Sequence, residues 1–518
     1  MTITMAKLHR RPAAAAVSLA LLSLAPACRA DWKFTPTVEL RETYTDNVAL
    51  RANAQANWVT ELAPSFRLDH TGPGLQMSAT YSRRFYEYAD KDVGGTYGAT
   101  QDLNANGKAR IINELLFVDA SASIGQRDTS IFGAVQQNTG NTFATANSAE
   151  VKTARISPYL KQRFASYADA ELRYAYDRVM TSTRGLNDST GNSLSLNVTS
   201  GNAFRLLGWG LQASKSKQKG VATTTAGGES TSDNYALTLR WAATSQLNLT
   251  ALGGYDSYDY QALGGSNGGS AWQLGFDWQP SSRTRLQASA GKRYYGNSYS
   301  LQAQHRARVS IWTLNYNDSV TSTRQQFLLP SAIDTFSMLD RLFATTIPDA
   351  DARRQAIAAY IQATGLPTSL ANNINYFSNR YYLQKQFQAA VALNGAHTTT
   401  VLTLQDMRRN GLSSTNVDSG LLGNTSSILN DNTRQTGGNI TWNWRLSTRT
   451  GVLATADLTR IRSISANTST NNRGMRIGLT HQMQPKLHAA VDVRRVSGGL
   501  GAAKYTENAI AASLNKQF

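Results

Sequence analysis

Between Ala271 and Pro280 the chain reads AWQLGFDWQP, with Trp272, Leu274, Phe276 and Trp278 at every second position. Gln273, Gly275, Asp277 and Gln279 lie between them. Successive side chains of a β-strand point to opposite faces, so one face here is large and apolar and the other polar. The pattern recurs along the chain. Phe34, Pro36, Val38 and Leu40 carry it, as do Trp58, Leu62 and Phe66, and Leu75, Met77, Ala79 and Tyr81. So do Val118 to Ile124, Ala168 to Tyr176, Tyr235 to Trp241, Ile440 to Leu446, Met475 to Leu479 and Leu487 to Val493. Each segment runs for about 9 to 13 residues, the length of a tilted membrane strand. Strands of soluble proteins are nearer five or six residues.

The connectors alternate as well. Thr71–Gly74, Ser200–Asn202, Thr244–Gln246, Pro280–Arg283, Asn394-Gly395 and Ser447–Arg449 are short and carry turn residues. Arg127–Ala149, Lys217–Asp233, Gln261–Ser270 and Asn410–Asn432 are long and rich in Gly, Ser, Thr and Asn. Short turns at one end and long loops at the other describe an all-β, transmembrane, antiparallel up-and-down barrel with its turns in the periplasm. Counting from either terminus gives the same parity only if a turn falls near Asn317-Asp318-Ser319 and Val320–Leu329 forms a strand. The total is then about 22 strands, within roughly 18 to 24, and even as single-chain bacterial barrels are.

Composition agrees. The 518 residues are 41% hydrophobic, and no run of about 20 apolar residues follows the N-terminus, which excludes a bundle of membrane helices. Charged residues make up 17%, against roughly 25% in soluble domains, a deficit suited to a chain whose polar surface is partly a solvated interior. Residues 1–30 read as a signal peptide. Lys7, Arg10 and Arg11 precede the apolar stretch Ala13–Ala25, and Cys28-Arg29-Ala30 places small residues where a signal peptidase cuts. Cys28 is the only cysteine, so a chain starting at Asp31 has no disulfide and no thiolate metal site. The competing reading, a lipoprotein acylated on Cys28, has only the weak lipobox Ala25-Pro26-Ala27 behind it. The net charge of +18 loses four with Lys7, Arg10, Arg11 and Arg29, leaving about +14. Without a basic cluster or stacking motif this points to an acidic polymer or anionic lipid, and not to nucleic acid.

On this reading residues 31–518 form the barrel, and the apolar face of Ala271–Pro280 meets lipid. Unpaired backbone groups in hydrocarbon cost several kcal/mol each, so the sheet must close. Trp272 and Trp278 are spaced to serve the two aromatic girdles. The lumen face then holds Arg173, Arg285, Arg293, Arg306, Arg308, Arg445, Arg476 and Arg494 as candidate pore-lining residues, with Glu39, Glu61, Asp169, Glu171, Asp277 and Asp492. Arginine in excess biases a pore toward anions; the plainer reading is that these charges pair across strands and stiffen the wall. Residues 331–376 read as a helical insertion, a lid or plug, with Ser331 and Asp334 spaced as a capping box and Gly365 and Pro367 ending a second helix. The chain ends on Phe518, with Leu514, Ala512 and Ile510 on the same strand face. This resembles the terminal signal by which outer-membrane barrels meet their assembly machinery, except that Lys516 stands where an apolar residue is usual.

Catalytic and cofactor chemistry have little to stand on. None of the six histidines forms a spaced metal pair, and there is no nucleophile elbow or phosphate loop. Asp256 and Asp259 suggest a calcium loop or, more plainly, a solvated loop tip. His488, Asp492 and Arg494 share a face with no nucleophile beside them. No cofactor, metal site or enzymatic activity is expected.

The segments DWKFTPTVELRETYTDNVAL and NDSVTSTRQQFLLP, with the ending on Phe518, resemble a family of outer-membrane barrels that accompanies the PEP-CTERM protein-sorting and exopolysaccharide system of Gram-negative bacteria. The resemblance implies an outer-membrane conduit or accessory in exopolysaccharide export, with an acidic exopolysaccharide or its export complex as partner. It supplies no catalytic residues. The alternatives are a structural or adhesive surface barrel without transport and a solute uptake porin. No plug or coupling segment is visible at the N-terminus for an active receptor.

Overall fold

The computed structural model describes residues 31–92, 94–134, 141–144, 147–182, 188–220, 229–259, 267–328, 377–378, 380–413 and 427–518. The expected signal peptide and helical insertion lie outside them. In the first half of the barrel the strands are β1 Asp31–Thr45, β2 Asn57–Thr71, β3 Leu75–Tyr88, β4 Ala99–Ile112, β5 Leu116–Asp128, β6 Ser148–Phe164, β7 Ala168–Thr181, β8 Ser189–Ser200, β9 Leu207–Lys219, β10 Glu229–Ala242 and β11 Leu247–Tyr258. The second half holds β12 Gly268–Ser281, β13 Thr284–Arg293, β14 Gly296–Arg306, β15 Ser310–Ser322, β16 Tyr381–Asn394, β17 Thr398–Gly411, β18 Thr433–Arg445, β19 Thr450–Ser463, β20 Thr468–Gln484, β21 Leu487–Gly498 and β22 Tyr505–Gln517. A short helix, α1, spans Thr323–Leu328 among the described residues.

All 22 strands belong to one sheet. Each pairs antiparallel with its sequence neighbours, and β1 pairs with β22 from Thr37↔Gln517 to Thr45↔Ala509. The sheet therefore has no free edge, as hydrocarbon requires. The expected terminal signal forms this seam. Leu514 lies opposite Leu40 and Ile510 opposite Tyr44. Ala512, Ile510 and Leu514 alternate on the outward face, and the Phe518 backbone N–H donates to the Pro36 carbonyl at 3.0 Å. Asp31 and Phe518 lie at the end of the barrel whose connections have two to six residues; at the other end they reach 19, 21 and 58.

The question posed by Ala271–Pro280 is answered by exposure. Trp272, Leu274 and Trp278 stand outward, 51%, 61% and 43% exposed, while Ala271 on the other face is buried. Apolar residues so exposed around the whole barrel need an apolar solvent. The girdles have a division of labour. Trp32, Trp209, Trp241, Trp278, Trp312, Trp442 and Trp444 lie outward near the turn end of their strands, leaving Trp58 and Trp272 toward the loop end. There Tyr44, Tyr176, Tyr235, Tyr255 and Tyr299 form the outward belt.

One expectation fails. No turn occurs at Asn317-Asp318-Ser319; β15 runs straight through it, paired with β16 from Ser310↔Leu393 to Ser322↔Tyr381. Val320–Leu329 is not a strand, since residues 320–322 finish β15 and α1 follows. Asn317 and Asp318 resemble turn residues, but in a barrel with a wet lumen a polar pair inside a strand only marks its two faces. The even count comes instead from hairpins at 294–295 and 307–309. In the first, Tyr294-Tyr295 passes directly to Gly296, whose φ of +114° is one that side chains rarely adopt. This hairpin and the connection 464–467 are short turns at the loop end, so the asymmetry of connector length is strong but not strict.

Candidate functional site

The lumen is built differently at its two ends. At the loop end, segments between strands fold inward and pack. Ile131 and Phe132, from the β5–β6 connection, are buried with Tyr382 of β16 and Ile461 of β19. Phe143 of the same connection packs with Val48, Ala49, Val59 and Tyr86, and Ala134 and Ala144 pack with Leu50, Val496 and Tyr505. α1 leaves β15 and reaches the far wall: Phe327 meets Phe377, Val151 and Val179, and Arg324 pairs with Asp177 of β7 and donates to Ser189 of β8. Chain thus bridges strands that are distant around the barrel.

Polar groups inside this packing are satisfied by protein. Glu507 and Arg494 pair at 3.0 Å, with side chains 0% and 1% exposed. The same carboxylate accepts from Thr45 Oγ1 at 2.7 Å and from Asn141 Nδ2 at 3.0 Å, so it joins β1, β21, β22 and the inward β5–β6 connection. A buried ion pair is tolerated only with this degree of hydrogen bonding. Arg380 likewise pairs with Asp431 and donates to the Ser413 carbonyl. Outside the strands, burial pushes the phenols of Tyr97 and Tyr295 up from their ordinary value, keeping them neutral donors to Gln126 and Ser298.

At the turn end the wall of β1 and β17–β22 encloses a cavity of about 640 Å³. Its charged lining is Arg41, Arg445, Arg449 and Arg476 against Glu39 and Asp492, with His397 and His488 beside them. One oxygen of Asp492 accepts from Arg41 at 2.7 Å and from Arg476 at 3.0 Å. The Arg445 guanidinium donates to the Ala396 carbonyl at 2.8 Å. Two guanidinium groups therefore share one carboxylate, and Arg445 and Arg449 have no carboxylate partner among the described residues. The site can attract and orient an anion. Among the described residues no three His, Asp or Glu side chains gather to hold a metal ion.

The eight predicted lumen arginines divide accordingly. Arg173 pairs with Asp119 at 2.8 Å and Glu171 at 2.9 Å. Arg285 pairs with Asp277 at 2.7 Å and Arg293 with Asp256 at 2.9 Å. Arg476 and Arg494 are paired as above. Arg306 and Arg445 are on the inward face without a carboxylate among the described residues. Arg308 is in the turn between β14 and β15, at the rim and not on the wall. The plainer reading, wall-stiffening pairs, thus describes five of them. Asp256 sits within β11 and is committed to Arg293 and Asn234, so it is no loop-tip calcium ligand. Sequence periodicity passed over Arg41, Glu507, Arg324, Arg380 and Arg409. Arg41, Glu507 and Arg409 share the parity of inward neighbours and were legible by alternation, Arg409 donating to its cross-strand neighbour Gln384 at 3.0 Å; Arg324 and Arg380 meet their partners through segments between the strands.

Comparison with protein-family profiles and with curated proteins finds no match. Solved structures do resemble it. The FrpB iron transporter from Neisseria meningitidis (F5-1 variant) is 9% identical with a TM-score of 0.50, over 93% of this chain and 82% of that one. The siderophore receptor PirA from Acinetobacter baumannii is 10% identical with a TM-score of 0.47, over 94% and 80%. The fold is that of an outer-membrane β-barrel. At these identities the likeness reaches no further than the fold.

Proposed function

We propose that this barrel is an outer-membrane conduit or accessory for export of an acidic exopolysaccharide, with the turn-end cavity receiving the polymer from the periplasm. The observation that carries this reading is the asymmetry of the lumen. Arg41, Arg445, Arg449 and Arg476 face a water-accessible cavity at the periplasmic end, while the loop end is bridged by packed chain. Positive charge at a pore entrance raises the local concentration of an anionic substrate. The packed loops act as the outer gate, and the resemblance to barrels of the exopolysaccharide system supplies the polymer class.

The experiment has two arms. Deleting the gene lowers secreted acidic polysaccharide and leaves polymer in the periplasm; secretion at the wild-type level overturns the reading. In planar bilayers the purified barrel conducts, anions pass more readily than cations, and removing residues 331–376 widens the pore. The second reading, a closed structural or adhesive barrel, is favoured by the apolar clusters at the loop end. It predicts silence in both forms. Solute-specific uptake in whole cells would instead point to a porin.

A further inference from the structure

The outward face carries a second charged feature, at the loop end of β16–β20. Arg408 of β17 lies directly opposite Arg434 of β18, and Arg434 lies directly opposite Arg462 of β19. Lys385 of β16 extends the row beyond Arg408. All share the parity of lipid-facing neighbours: Leu404, Ile440 and Leu458 are 49%, 43% and 51% exposed on the same faces. Arg460 and Arg473 add a second rank on β19 and β20. Among the described residues two carboxylates answer these six cations. Asp406 pairs with Arg434 at 2.6 Å and lies 3.7 Å from Arg408, and Asp318 stands opposite Lys385 at the end of the row. Arg462 reaches only the Asn467 side chain, at 3.1 Å. Arg460 and Arg473 have no carboxylate within ion-pair distance among the described residues.

Like charges directly opposite on neighbouring strands, about 4.8 Å apart, destabilise a sheet. Elsewhere on the outward face the chain avoids this. On β9 and β10, Lys215 is registered against Asp233 and Lys219 against Glu229, with ion pairs at 3.7 and 3.9 Å, and Lys217 also pairs with Glu229. On β17–β19 a single carboxylate, Asp406, answers three arginines among the described residues, which leaves the row with positive charge to bind anions from outside the protein. It lies just above the apolar belt, where Leu404, Leu458 and Met475 end and the outer headgroup layer begins.

We infer that the Arg408–Arg434–Arg462 row binds the phosphate groups of the outer-leaflet glycolipid, lipopolysaccharide. Guanidinium groups bind phosphate oxygens in forked pairs. A row three strands wide matches a headgroup bearing more than one phosphate better than a single-phosphate lipid. The site shares with the proposed conduit only the orientation of the barrel, and its failure leaves the lumen reading untouched.

The full-length barrel, refolded from denaturant so that it carries no native lipid, is titrated in detergent with bis-phosphorylated lipid A and followed by native mass spectrometry. The triple variant R408Q/R434Q/R462Q binds at least tenfold more weakly, and K215Q/K217Q binds as the wild type does. Dephosphorylated lipid A binds neither form well. Heat-modified gel mobility checks that each variant is folded. If the triple variant does not fold, Arg462→Gln alone, on an exposed side chain, lowers affinity at least threefold. Equal binding by wild type and variant, or by lipid A with and without phosphate, overturns the inference. Tighter binding of phosphatidylglycerol than of lipid A overturns the assignment to the glycolipid.

Discussion

The two halves of the lumen obey the same alternating code and arrive at opposite solutions. At the loop end the inward side chains meet other protein, and Glu507, Arg494, Phe143 and Ile461 are all but closed off from solvent. At the turn end the inward side chains meet water, and arginines outnumber carboxylates. The difference comes from the connectors. The β5–β6 connection and α1, at the loop end, fold back into the barrel and bring apolar side chains and amide donors that replace water. Turn-end segments of two to six residues cannot reach inward. Charge at the loop end is therefore neutralised with the help of folded-in chain, whereas toward the turn end it is neutralised only by carboxylates of the strands themselves, as for Arg285 and Arg173, and Arg445 and Arg449 have none among the described residues.

The strongest way to break this comparison is to remove one half of the buried ion pair. Glu507→Gln strands the Arg494 charge and costs about 3–5 kcal/mol, read from urea unfolding of the refolded barrel. Replacing both partners by apolar residues of similar size recovers most of the loss. A cost under about 1 kcal/mol would mean that the loop end is as wet as the turn end. Next, Ile461→Ala, from a wall residue that is 0% exposed against Ile131 and Phe132, costs about 2–4 kcal/mol and raises the frequency of channel openings in a bilayer. The smallest effect on stability belongs to the turn end. Arg445→Ala with Arg449→Ala changes unfolding by about 0.5 kcal/mol or less, because neither side chain has a carboxylate partner among the described residues. The same pair lowers anion-over-cation selectivity, measured as a reversal-potential shift. A large stability loss with unchanged selectivity would make these arginines structural.

Much of the barrel was legible residue by residue. Trp272, Leu274 and Trp278 face outward as alternation requires, and the inward parity of Arg173, Arg285, Arg293, Arg445, Arg476 and Arg494 follows from the same rule. The misplaced turn at Asn317–Ser319 shows the limit. Composition marks a turn in a soluble sheet because polar residues there have no reason to sit inside a strand. In β15 Asn317 lines a wet wall and Asp318 lies at the headgroup rim, so the same letters carry no break. The Tyr294-Tyr295 hairpin was missed for the converse reason, since two aromatics give no turn signal and only Gly296 betrays it.

By itself the sequence determined what depends on neighbours along the chain: strand period, the two faces of each strand, and the apolar outward face of the last strand at Ile510, Ala512 and Leu514. These are local steric and solvation preferences, and a closed sheet is the only way to satisfy them all in hydrocarbon. Only the tertiary structure decided which charges cancel. Whether Arg494 finds Glu507, whether Arg476 shares Asp492 with Arg41, and whether Arg408, Arg434 and Arg462 line up with one carboxylate between them depend on cross-strand register and inward-folded loops. Coulomb energy and desolvation act through space, between residues separated by up to 451 positions in the Arg41–Asp492 pair, and no local pattern records them.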